Sequence, residues 1–491
     1  MKEYVLGIDQ STQGTKALLF DGEGRLLART DLPHRQMIDE KGWVEHDPEE
    51  IYENTIKTVR NLIRQTGIEK GQIRTVGISN QRETALVWDK ETGKPIYPAI
   101  VWQCARGAKI CQRVEEQGYG ALVRERTGLK LSPYFSAAKI AWVLEQVPGA
   151  RQKAQEGKLC CGTIDSWLVY RLTGGRRFQT DFSNASRTQL FNIYEKRWDE
   201  ELCGLFGIPS RCLARVTPSD GDFGDTDFEG ILERKIPIRG VLGDSHGALF
   251  GQGCLKKGMI KATYGTGSSI MMNIGETPVR SQQVVTSIAW CMDGKINYVL
   301  EGNINYTGAV ITWLKDDVGL LDTPSESEEL ARKADPEDET YLIPAFSGLG
   351  APYWNSEARA LICGMTRRTR RAEIVKAGVE CIAYQITDVI GAMSQESGIS
   401  IKELMVDGGP TKNGYLMQFQ SDIAGILVQA PGQEELSGIG AAYAAGISAG
   451  VYQLESLFAG KDRKRYVPGM PEKIRRQKYL GWKKAVKQAL R

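Results

Sequence analysis

Apolar positions along this chain fall into two spacings. The run "YVLGIDQ" (4–10) is almost continuously apolar, and "TKALLFD" follows it across "STQG". That pattern predicts two strands joined by a tight Ser/Thr/Gly reversal, because such residues tolerate the positive backbone angles a short hairpin needs. The same device recurs about half a chain later in "GMIKATYGTGSSIMMNIGE" (258–276). A unit repeated at half-length predicts two related domains with a cleft between them, divided near 251–257 into 1–252 and 253–491.

Elsewhere the spacing is helical. In "DPEEIYENTIKTVRNLIRQ" (47–65) Asp47 serves as N-cap, Pro48 opens the helix, and acids fill its first turn. Residues 370–398 predict a long helix with a broad apolar face. Residues 402–425 read as strand, glycine turn and helix. The small-residue stretch "SGIGAAYAAGISAG" (437–450) predicts a helix suited to close backbone approach. "IRTVGISNQRETALVWD" (73–89) reads as two strands around a polar turn. Strands and helices that alternate in this way predict an α/β fold.

Composition narrows the function classes. Of 491 residues, 63 are basic and 60 acidic, a net charge of +3, so neither nucleic acid nor a membrane surface is implied as a partner. Basic residues gather in "GKDRKR" and "PEKIRRQKYLGWKKAVKQALR", read as the solvated face of a terminal helix. No signal-peptide pattern opens the sequence, and no apolar run is long enough to span a membrane. The 10 cysteines include no C-x-x-C and read as reduced thiols of a cytoplasmic protein.

The stretch "GDSHG" (243–247) fits the nucleophile-elbow pattern of serine hydrolases. The chain has only 3 histidines, His34, His46 and His246, and none follows His246. Adjacent residues diverge on a strand or a helix, so Ser245 and His246 are poorly placed as nucleophile and base. Asp244 then becomes the residue of interest. Asp9 stands where the first strand meets its turn, ahead of Ser11, Thr12 and Gly14. Such a hairpin can cradle an anion, with the carboxylate holding Mg²⁺ through water. The second hairpin repeats the device at Gly265, Thr266, Gly267, Ser268 and Ser269, and "VDGGPTKNG" adds a strand-end glycine pair before a helix. Each turn alone can be no more than a turn satisfying its own polar groups. Together they argue for a nucleoside triphosphate between two domains, with neither a P-loop nor a Rossmann fingerprint present.

Longer stretches are more specific: "GWVEHDP" (42–48), "NQRET" (80–84), "ETGKPIYPAIVWQC" (91–104), "NASRTQLFNI" (184–193), "PAFSGLGAPYW" (344–354) and "YFSAAKIAWV" (134–143). On these the chain resembles, end to end, the FGGY carbohydrate kinases, and among them the glycerol-kinase branch. The resemblance implies two actin-like (ribonuclease H-like) domains with an interdomain active-site cleft, and ATP-dependent phosphorylation of a small polyol or sugar hydroxyl. It implies Asp244 as general base and Asp9 with Asp244 as Mg²⁺-associated acids. Thr12, Gly265, Thr266, Gly308, Gly409 and Asn413 match ATP contacts, while Arg82, Glu83, Trp102 and Tyr134 match the polyol pocket. On analogy it also implies a homo-oligomer, a dimer or tetramer.

Several positions depart from that branch. Ser245 replaces an amide side chain, Ser269 replaces a bulky aromatic, Thr312 replaces a glutamine, and Gly378 is smaller than usual. The two serines shorten and polarise the acceptor pocket. The expectation is therefore an acceptor larger than glycerol, a four- or five-carbon polyol or ketose, with His246 beside the added space. Glycerol itself is the alternative. A nucleotide-driven chaperone on the same scaffold is the non-enzyme alternative, against which the Arg82, Glu83, Trp102 and Tyr134 cluster speaks.

Overall fold

The structure is a computed structural model that describes residues 2–432, 434–460 and 462–490. Tyr4–Gln10 pairs antiparallel with Gly14–Phe20 and parallel with Ile73–Asn80. Leu26–Pro33 and Ile236–Gly243 extend this sheet, and the short strand Asp225–Thr226 closes its edge. The second hairpin generates the same pattern. Ile260–Tyr264 pairs antiparallel with Ser268–Gly275 and parallel with Glu403–Asp407. Lys295–Ile304 and Val285–Met292 continue one side, and Leu427–Pro431 and Arg463–Tyr466 the other. The repeat read from sequence is thus two sheets built on one plan.

The helices form where capping and periodicity predict them. Pro48–Thr66 begins at Asp47, whose side chain accepts the amide of Glu49, and ends at Gly67 in the left-handed region. Arg371–Ser397 packs its broad apolar face into the core of the second sheet. Gly378 faces Leu314 there, and a methyl group at that position would crowd the leucine side chain.

The small-residue helix Leu436–Ser448 lies in sequence between Leu427–Pro431 and Arg463–Tyr466 of the second sheet yet packs on the first. Side chains at Gly77 or Gly240 would overlap the carbonyl of Ala441, and one at Gly440 would overlap Gly247. Glycine and alanine on both partners let the backbones touch. A central apolar cluster then joins Val5 and Leu249 to Met271, Met405 and Ile439, fastening the two sheets together.

The two strands read around the polar turn of "NQRET" are present, but they belong to different sheets, and one other sequence reading needs correction. Ile73–Asn80 lies in the first sheet, whereas Ala85–Asp89 pairs with Leu159–Thr163 and Ala99–Ile100 in a separate sheet. The turn between them, with Glu83 at φ 59°, is a junction between sheets. The basic run near 462–465, read as part of a terminal helix, is not helical. Arg463–Tyr466 is an edge strand beside Leu427–Pro431, and only Glu472–Ala489 is the terminal helix.

Candidate active site

Parallel strands point their carboxyl ends at ligand crevices in open α/β sheets. Here Asp9 lies near the end of Tyr4–Gln10, Asp407 ends Glu403–Asp407, and Asp244 follows Ile236–Gly243 directly. All three line one cleft of about 990 Å³, together with Lys16, Ser245 and Lys261. Asp9 is buried, and its Oδ1 has no hydrogen-bond partner among the described residues. Burial raises its pKa to about 6, against the pull of Lys16 at 3.8 Å. Lys16 is shared with Glu435, to which it donates a hydrogen bond. The cleft therefore holds a desolvated carboxylate short of positive charge.

A second cavity of about 360 Å³ adjoins the first through Gly409 and Lys412. Gly308, Ile311, Thr312, Val379, Asn413 and Leu416 line it, a mostly apolar slot with polar groups at its mouth. Asn413 caps the helix Gly414–Ala424 by accepting the Leu416 amide at 2.9 Å, and its Nδ2 donates to Ser327 Oγ at 3.2 Å. Gly408 at φ 100° turns the chain from Asp407 into this loop. Gly265 and Thr266 lie on the exposed rim, where their carbonyls accept the amides of Thr307, Gly308 and Ala309.

Among the remaining predicted residues, Arg82 reaches Asp244 directly. Arg82 places Nε 3.1 Å from Asp244 Oδ1 and donates Nη1 and Nη2 to Glu301, each at 2.9 Å. Burial works against the charge, yet Glu301, Glu83 and Asp244 hold the guanidinium pKa well above its ordinary value. Burial raises the Glu83 carboxyl, which Arg187 and Arg82 oppose. Trp102 meets Tyr134 edge to face at 5.5 Å and donates Nε1 to Thr12 Oγ1 at 2.9 Å. Burial, then Glu83, push the Tyr134 hydroxyl pKa up, so it stays a neutral donor. Fixed charges thus link the Trp102–Tyr134 pair to the Asp244 carboxylate, whose side chain is 36% exposed in the cleft.

Residues 4–251 match the N-terminal domain and residues 260–449 the C-terminal domain of the FGGY family of carbohydrate kinases. The chain belongs to the FGGY carbohydrate kinases. It is thereby an ATP-dependent phosphotransferase with an alcohol group as acceptor, which removes the chaperone alternative. It is 46% identical over 492 residues to a glycerol kinase of Symbiobacterium thermophilum, covering 99% of this chain and 98% of that one. It is 47% identical over 490 residues to glycerol kinase 1 of Thermotoga maritima, covering 99% of each. The crystal structure of Plasmodium falciparum glycerol kinase with ADP superimposes with a TM-score of 0.94 at 36% identity, over 100% of this chain and 98% of that one. Gluconate kinase from Lactobacillus acidophilus shares the fold at a TM-score of 0.87 and 20% identity, over 100% and 97%.

In this carbohydrate kinase Ser245 and His246 make no catalytic pair. His246 is buried, and neither ring nitrogen has a hydrogen-bond partner among the described residues. Burial, then Arg82, hold its pKa well below that of a free histidine. Ser269 Oγ is likewise buried without a partner. Ser269 pairs with Thr263 across the second sheet, so its side chain shares the face that lines the cleft.

Sequence reasoning missed several residues of the site. Arg187 sits inside the quoted "NASRTQLFNI" without a role, and Glu301 is the one acid within the apolar strand Lys295–Ile304. For Glu301 a charge in a buried strand was the available signal, whereas Arg187 lies in the turn after the short helix Phe182–Ala185, where no such pattern marks it. Lys139, within "YFSAAKIAWV", is buried and donates to the carbonyls of Pro133, Tyr134 and Phe135, fixing the loop that carries Tyr134. Lys16, Lys261 and Asp407 complete the cleft.

Proposed function

We propose that this kinase transfers the γ-phosphate of ATP to a primary hydroxyl of glycerol, with Asp244 as general base. The observation that carries the reading is the meeting, at Asp244, of a hydroxyl-binding cluster with a cleft lined by strand-end acids. Arg82 and Glu83 offer charge-assisted hydrogen bonds to vicinal hydroxyls, and Trp102 offers a wall to the carbon chain. The full-length relatives named above as glycerol kinases support the same acceptor. The adenine fits the slot lined by Gly308, Thr312 and Asn413, and the phosphates reach across Gly409 towards Asp9. In this reading residues 1–252 supply the acceptor site and the base, and 253–491 supply the nucleotide site.

Asp9 and Asp244 fit a magnesium ion bound through water. Asp9 has an orphaned buried oxygen and a raised pKa, both of which a cation would relieve. No group of three or more His, Cys, Asp or Glu side chains gathers for direct ligation among the described residues. When bound, the ion supplies charge neutralisation on the phosphates. The protein's own contribution is to orient the acceptor, take its proton at Asp244 and exclude water.

A longer polyol is the second reading, favoured by the unpartnered His246 nitrogens and Ser269 hydroxyl. Buried polar groups left unsatisfied are costly, and an added hydroxyl on the acceptor would meet them. A kcat/KM screen of C3 to C6 polyols and ketoses separates the two. Glycerol leading by about 100-fold establishes the first reading, and erythritol, xylitol or xylulose leading establishes the second.

A further inference from the structure

The acceptor residues named above stand in the first half of the chain, yet the guanidinium of Arg82 is held from the second half. Glu301, which holds both terminal nitrogens of Arg82, belongs to the strand Lys295–Ile304 of the second sheet. Arg187 donates Nε to Glu83 Oε1 at 2.6 Å and places Nη1 2.9 Å from Glu301 Oε2. Arg82, Glu83, Arg187 and Glu301 are all buried. Two guanidinium and two carboxylate groups balance one another, so each is the counterion that makes burial of the others tolerable. Removing one leaves a buried charge uncompensated.

The second sheet also connects this quartet to the donor side of the cleft. Lys261 pairs with Met271, and Met271 pairs with Glu301. Residues directly opposite across neighbouring strands share a face. Glu301 therefore projects from the face that presents Lys261 to the phosphate cleft.

We propose that Glu301 and Arg187 are positioning residues of the acceptor site. Glu301, delivered by the second half, aims the Arg82 guanidinium at Asp244, and Arg187 aims Glu83. Acceptor recognition is then complete only while the two halves are together, and a nucleotide that holds them together tightens acceptor binding. The proposal rests on the reading of Arg82 and Glu83 as acceptor contacts. By linkage the acceptor must tighten nucleotide binding by the same factor.

The test uses the full chain with whichever of glycerol, erythritol, xylitol or xylulose is turned over best. Arg82→Met is the control for the acceptor reading, and Glu301→Gln, Glu301→Asp and Arg187→Lys probe the positioning. Glu301→Gln is expected to raise acceptor KM by about tenfold or more, while ATP KM at saturating acceptor rises by no more than the factor by which ADP tightens acceptor binding in wild type. Glu301→Asp, which keeps the charge at shorter reach, falls between wild type and Glu301→Gln. Calorimetric titration of acceptor with and without ADP is expected to show tightening in wild type and its loss in Glu301→Gln. Where Glu301→Gln fails to fold, Glu301→Asp and Arg187→Lys decide by the same readouts. Acceptor KM within about twofold of wild type in the Glu301 and Arg187 variants, while Arg82→Met raises it, overturns the proposal alone. So does a fall in melting temperature with both KM values unmoved. An Arg82→Met enzyme with unchanged acceptor KM overturns the acceptor reading, and the proposal with it.

Discussion

The indole Nε1 of Trp102 donates a hydrogen bond of 2.9 Å to the hydroxyl of Thr12. Thr12 lies in the turn between Tyr4–Gln10 and Gly14–Phe20, the hairpin that carries Asp9, and Trp102 is the wall that meets Tyr134. One hydrogen bond therefore ties the acceptor wall to the hairpin read as the phosphate cradle. Trp102→Phe keeps an aromatic wall and removes the donor. A hydrogen bond of this kind is worth about 0.5–1.5 kcal/mol, so both acceptor and ATP KM are expected to rise by about two- to tenfold. Steady-state kinetics in both substrates checks this, and a change confined to the acceptor disproves the tie.

Asp244 opens the helix Asp244–Gly251 and is approached by Arg82 Nε. If it accepts the acceptor's proton, Asp244→Asn lowers kcat by about 10²–10⁴-fold. Ser245→Ala, which removes a side chain that merely lines the cleft, is expected to change kcat by less than about tenfold. Single-turnover phosphoryl transfer measures both, and the reverse order would restore Ser245 as nucleophile.

Asp9 gives a pH dependence of stability with a defined sign. Its carboxyl titrates near 3.8 when unfolded and at about 6 when folded. The folded chain therefore binds the proton more tightly, and this favours the fold below about pH 4. The advantage is lost as pH rises through about 6. At 1.36 kcal/mol per pKa unit the cost at neutral pH is on the order of 3 kcal/mol at most. Asp9→Asn is thus expected to be more stable than wild type at pH 7, by a margin that closes below about pH 4. Denaturant melts across pH 4–8 give the answer, and an Asp9→Asn protein less stable at pH 7 contradicts it.

Asn413 joins the nucleotide slot to a helix start, since its side chain accepts the Leu416 amide and donates to Ser327. Asn413→Ala removes an N-cap worth about 1 kcal/mol and one polar group from the slot. We expect a melting temperature a few degrees lower and a clearly raised ATP KM, with acceptor KM unmoved. Thermal melts with and without ADP separate the two effects, because a pure capping loss leaves the ADP-induced shift intact.

The sequence by itself determined what depends on neighbours a few residues apart. Both hairpins, the Asp47 cap, the long helix over 371–397 and the acids at strand ends were legible, because periodicity and capping are local signals. The family motifs added a reading of which polar residues belong to one site. Tertiary structure alone decided partners distant along the chain. Arg82 meets Glu301 across 219 positions, and Lys16 meets Glu435 across 419. It also decided that "NQRET" joins two sheets, and that the helix Leu436–Ser448 lies on the sheet of the other half. No local pattern encodes these choices. They follow from which apolar faces and which buried charges satisfy one another once the chain has closed on itself.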